Sequence, residues 1–143
     1  METARWEATW LEGPLVCFKL DRKAAGVVPD FDSFLKLCDE LLVRPGRYGV
    51  VIDLEGSQAN AMRRQKLARW ATEHRAEVAA HVVAIGVVAR GPMERGVLTA
   101  IMWVMRPQVP IGAFLTQLEA LAWVREQIAG RNASAKAAHH RGA

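Results

Sequence analysis

The spacing of apolar residues changes several times along the chain, and each change marks an element. Residues 5–10 (RWEATW) alternate Trp6, Ala8 and Trp10 with Arg5, Glu7 and Thr9, the period of two of a strand with one buried face. Residues 15–20 (LVCFKL) form a second run of β formers, and Gly13-Pro14 between the two reads as the turn of a hairpin. Residues 21–29 (DRKAAGVVP) read as a connection. Asp30 or Asp32 can then cap a helix whose apolar positions fall mostly three and four apart: Phe31, Phe34, Leu35, Leu37, Cys38, Leu41 and Leu42. Pro45-Gly46 ends it.

Two nearly continuous apolar runs follow, residues 48–54 (YGVVIDL) and 82–89 (VVAIGVVA). Their length and character suit central strands covered on both faces. A second helix is predicted between them over residues 61–80, with Leu67, Trp70, Ala71, His74 and Val78 inward. A third starts at Pro92, where proline fits a first turn, and runs to about Met105. Pro107 and Pro110 break the chain, Phe114-Leu115 reads as a short last strand, and Thr116 caps a final helix that Gly130 ends. Leu118, Leu121, Ala122, Val124, Arg125 and Ile128 mark its helical pattern. Strands alternating with helices need crossovers, and crossovers give parallel strands. The expectation is an α/β fold: a mixed, mostly parallel sheet of four to five strands, an N-terminal β-hairpin at its edge, and four helices.

Composition narrows the classes. The 143 residues are 51% hydrophobic and 24% charged, within the globular range. No apolar run reaches the roughly 18 residues of a membrane span. The opening METARWEATW has no basic stretch followed by an apolar run, so no secretory leader is expected and the cytoplasm is the expected compartment. The net charge of +4 belongs mainly to the end of the chain: Arg131, Lys136 and Arg141 lie in residues 131–143, which hold no acid. That segment reads as a disordered basic tail, and residues 1–130 as one domain.

Candidate chemistry is sparse. Cys17 and Cys38 fall on apolar positions and read as small core residues. His74 and His81 lie two helical turns apart, too far to share a metal. No phosphate-binding glycine loop is present: residues 91–96 (GPMERG) have neither the order nor the lysine. Asp53 stands at a strand's C-terminal end, where α/β sites form, but is read first as a partner of turn amides. Ser57 or Asn60 reads as the cap of the second helix. That helix carries Arg63, Arg64, Lys66, Arg69 and Arg75, a basic face that allows phosphate contacts. No cofactor, metal or catalytic set is expected. The third helix is the least ordinary element, because Val97, Leu98, Ala100, Ile101, Met102, Trp103, Val104 and Met105 are apolar nearly all round its axis. Such a helix needs cover on more than one side.

Residues 48–56 (YGVVIDLEG), 90–107 (RGPMERGVLTAIMWVMRP) and 113–123 (AFLTQLEALAW), together with the order of elements, resemble STAS domains (sulfate transporter and anti-sigma factor antagonist) and their SpoIIAA-like relatives in bacteria. The resemblance spans about residues 6–128. It implies a non-catalytic, regulatory protein-binding module. In anti-sigma antagonists a serine in an Asp-Ser-Ser-Gly-like sequence is phosphorylated at the start of the helix after such a strand. Here the stretch is DLEGSQAN, residues 53–60, where Ser57 is the nearest hydroxyl and Asp-Ser-Ser-Gly is missing.

The leading expectation is therefore a protein-interaction module. The partner is another protein or a second copy in a homodimer, bound through Arg90, Arg95, Leu98, Ile101, Met102 and Met105, with Ser57 as the candidate phosphorylation site. The alternative is a binder of a small apolar or lipid-like ligand, in a pocket lined by Met102, Trp103, Met105 and Phe114. Nucleic-acid contact through the basic second helix is the third, less favoured reading.

Overall fold

The computed structural model describes residues 4–21, 29–57, 60–104 and 109–141. Strands β1 (Ala4–Glu12) and β2 (Leu15–Leu20) form the expected antiparallel hairpin. The connection after it contains an unexpected two-residue strand, β3 (Pro29–Asp30), parallel to β1. Asp30 then caps α1 (Phe31–Val43) through its carboxylate, which accepts from the Asp32 and Ser33 amides. Gly46, with φ of 96°, turns the chain into β4 (Tyr48–Asp53).

The second predicted helix is two: α2 (Ala61–Glu73) and α3 (Arg75–His81). The break falls at His74, whose φ of −113° and ψ of 17° are not helical. Its backbone N–H and its ring Nδ1 both lie within hydrogen-bond reach of the Trp70 carbonyl, and its ring stacks on the Trp70 indole. Among the described residues there are thus five helices in place of the four expected. Then come β5 (Val82–Val88), α4 (Pro92–Val104), β6 (Ile111–Phe114) and α5 (Gln117–Arg141). Gly130 does not end α5, which runs to Arg141 through the segment expected to be a disordered tail.

The sheet order is β3-β1-β2-β4-β5-β6, with the β2–β4, β4–β5 and β5–β6 pairs parallel. Apart from β3 at the far edge, order in the sheet from β2 onward is order in the chain. Right-handed crossovers that step one strand at a time put every connecting helix on the same face. Hence Phe34, Cys38, Leu41 and Leu42 of α1, Leu67 and Trp70 of α2, Val78 of α3 and Ile101 of α4 share one core with Val16, Phe18, Val50, Ile52 and Ile85. Trp6 and Phe18 meet Phe34 edge-on in its centre, at 5.0 and 6.0 Å between ring centroids. Tyr48 is buried there, and its hydroxyl donates to the Leu41 carbonyl.

The opposite face belongs to α5. Ala120, Leu121 and Val124 pack on Leu15, Cys17, Val51 and Val88. Two glycines allow a very close approach: a Cβ on Gly49 would stand 2.2 Å from Val124 Cγ1, and one on Gly86 would stand 2.9 Å from Val124 Cγ2. Leu118, expected on the helical pattern, points to solvent.

Overpacking of this kind costs about 1–3 kcal/mol. Gly49→Ala is therefore expected to destabilise the chain by about that amount, and Val124→Ala in the same chain is expected to recover part of the loss. Denaturant unfolding of the single and double variants measures both; additive losses would show that the seam is not tight.

Candidate functional site

The C-terminal ends of β4, β5 and β6 form a cross-braced rim. Asp53, only 4% exposed, accepts the Glu55 amide at 3.0 Å and the Gln117 side-chain amide at 2.7 Å. The turn-amide role expected of Asp53 is thus present. Arg90 donates from Nε to the Leu115 carbonyl at 2.9 Å and pairs with Glu55 at 3.5 Å. The Thr116 hydroxyl caps the start of α5, accepting the Glu119 amide and donating to the Glu119 carboxylate. These bonds fix three loops to one another.

Ser57 is 5% exposed, and its hydroxyl donates to the Leu54 carbonyl at 2.6 Å. As folded, the oxygen is not presented to a modifying enzyme. Asn60 is the cap of α2, accepting the Arg63 amide at 2.8 Å.

The six residues expected to contact a partner do not share one surface. Ile101 is 3% exposed and belongs to the core, with Leu98 half-buried against it. Their places follow from the helical period, which turns positions 97, 98 and 101 toward the sheet. Arg90 braces the rim, while Arg95 and Met102 face outward. Met105 lies outside the described residues. The four residues expected to line a ligand pocket also separate. Phe114 packs against Trp123 on the α5 face, across the sheet from α4. Met102 and Trp103 are 48% and 69% exposed.

The basic side chains of α2 are likewise dispersed. Lys66 pairs with Asp32 of α1 at 3.0 Å, Arg63 is half-buried, and Arg64 turns toward α4.

What the structure brings together is a groove of about 550 Å³ between α2 and α4. Ala61, Arg64, Gln65 and Ala68 form one wall; Gly96, Thr99, Ala100 and Trp103 form the other. Each set follows the spacing i, i+3, i+4, i+7, one stripe of a helix. The small residues Ala61, Ala68, Gly96 and Ala100 keep the groove open. Sequence reasoning passed over it because small residues carry little hydrophobic signal, although the matched spacing on two neighbouring helices marks it. Trp103 stands on the α4 wall as its largest side chain, and the Arg64 guanidinium supplies positive charge opposite. The groove suits recognition by packing and charge.

Both thiols are buried away from it. Burial first, and the Asp53 carboxylate second, push Cys17 up to about 11. Burial also raises the Cys38 thiol far above its ordinary value, with Asp39 adding to the shift. The reactive thiolate is therefore scarce at neutral pH. His74 lies against Trp70, whose indole N–H donates to Asp39 at 2.7 Å, and His81 bonds the Gly46 carbonyl at 2.7 Å. Among the described residues no three His, Cys, Asp or Glu side chains gather as metal ligands, and no helix is long and apolar enough to cross a membrane. Comparison with models of protein families, with curated proteins and with solved structures gave no match.

Two outcomes are expected. Neither cysteine reacts with an aromatic disulfide reagent in the native chain at pH 8, and both react in denaturant; rapid native labelling would show that the core opens. Gln117→Ala leaves Asp53 one bond short and lowers unfolding free energy by about 1–3 kcal/mol, which chemical denaturation measures.

Proposed function

We propose that the chain is a non-catalytic, regulatory protein-interaction module of STAS-like type, and that its partner docks over the α2–α4 groove. The observation that carries this reading is Trp103, 69% exposed beside the groove. A largely exposed indole at the edge of a concave, small-residue surface is the kind of anchor that dominates protein interfaces. Met102 beside it is adaptable, and Arg64 and Arg95 supply positive charge. The complementary partner surface carries an apolar ridge flanked by carboxylates. It belongs to another protein or to a second copy of the chain. The STAS-like part of the proposal rests on the sequence resemblance and is supported by the sequential parallel sheet with its N-terminal hairpin. Ser57 has no role in it, because its hydroxyl is buried and bonded.

Trp103→Glu, alone and with Met102→Lys, tests the proposal, since both positions are exposed and the fold tolerates charge there. Light scattering over a range of concentrations separates the two kinds of partner. A mass that doubles in the parent and stays single in the variants identifies a second copy. A mass that stays single in both directs the test to photo-crosslinking from position 103 in the native cell, with Glu126 on α5 as the control position. The expected loss of affinity in the variants is about thirtyfold or more, the effect of removing a central interface anchor. Unchanged self-association together with crosslinks no different from the control would refute the reading.

A further inference from the structure

Three voids lie in sequence beneath α2 and α4. The open groove shares Arg64 and Ala100 with a cavity of about 40 Å³ below it. That cavity shares Phe34, Leu67 and Ile101 with a second, of about 50 Å³, deeper in the core. The deeper void is walled by apolar side chains, including Phe18, Val50, Ile52 and Ile85. In the outer one the polar lining is confined to Ser57, Arg63 and Arg64. Apolar voids of this kind stay dry and accept hydrocarbon when it fits. Neither has the roughly 150 Å³ that holds a benzene ring. A methylene chain is narrower, and Phe34, Leu67 and Ile101 line both cavities.

We propose that this path binds a single-chain aliphatic carboxylate. The tail lies along the small-residue walls of the groove, passes Ala100, and ends between Leu67 and Ile101. The carboxylate stays at the surface beside Arg64. That guanidinium is exposed and has no acidic partner among the described residues. An apolar slot with one cation at its mouth selects an amphiphile with one anionic head. Cavity volume sets the reach: the inner voids hold only the last few carbons, and the rest of the tail occupies the groove. This inference goes beyond the docking reading: a bound tail would compete with a partner's ridge for the groove and for Arg64, and the test needs no partner protein.

The purified full chain is titrated with butanoate, hexanoate, octanoate and decanoate below their micelle concentrations, and amide shifts are followed by NMR. Binding is expected to saturate and to tighten about fourfold per added methylene until the inner void is full, then to level off. The largest shifts are expected at Leu67, Ala100 and Ile101. Arg64→Gln is expected to weaken octanoate about tenfold and to leave 1-octanol unchanged, which separates head from tail. Ala100→Val puts two methyl groups into the outer cavity and is expected to remove octanoate binding with little change in melting temperature. Ala61→Leu, at an exposed position on the groove wall, obstructs the same path and serves if the first variant does not fold. Lack of saturation by octanoate and decanoate in the parent would overturn the proposal. So would parent-like octanoate binding in a folded cavity-filling variant, or shifts spread over the whole spectrum as a detergent gives.

Discussion

Helices and strands do not share a lateral spacing, and this mismatch shapes the molecule. Neighbouring strands lie about 4.8 Å apart, whereas packed helices need about 8–10 Å between axes. A sheet that adds one strand per crossover, with all crossovers of one hand, places α1, α2, α3 and α4 over strands too closely spaced to seat them side by side. The layer therefore spreads and lifts. α1 sits over β1, while the backbones of α2 and α4 approach each other more closely than they approach any strand. The groove and the two voids lie within and beside that helical layer, and Trp103 faces outward by the helical period of α4.

The other face shows the contrast. One helix, α5, has the width of the sheet to itself and settles until Val124 meets the bare backbone of Gly49 and Gly86. Rigidity on that side lets the helical layer carry an imperfect, adaptable surface without loss of the fold. Cross-bracing at the rim, through Asp53, Gln117, Arg90 and Glu55, holds the ends of the parallel strands at fixed separation. Sites in open α/β folds usually form at such strand ends; here that position is closed by its own hydrogen bonds, and the open surface lies one layer away.

The strands and helices were legible because their signals are local. Alternation around Trp6 and Trp10, the apolar runs at Val50–Ile52 and Val83–Val88, and the caps at Asp30, Asn60 and Thr116 depend only on near neighbours. The break at His74 was not legible, since it turns on a ring bonding back to Trp70 in a stretch whose periodicity continues. Nor was the two-residue β3, too short to show a period. The site was legible in part. An apolar-all-round α4 announced a helix with two faces to cover, but the pattern could not say that Ile101 faces in, that Met102 faces out, or that Phe114 lies across the sheet. Those facts depend on which face each crossover takes. The small residues that open the groove give no hydrophobic signal at all.

Trp103 on α4 is 69% exposed at the edge of the groove. Collisional quenching measures this directly, in a variant whose other four tryptophans are phenylalanine, at concentrations where the chain is monomeric. Acrylamide and iodide are both expected to quench Trp103 readily, with emission at long wavelength. Blue-shifted emission with weak quenching by both would mean that the chain sheathes Trp103, and would overturn docking through it.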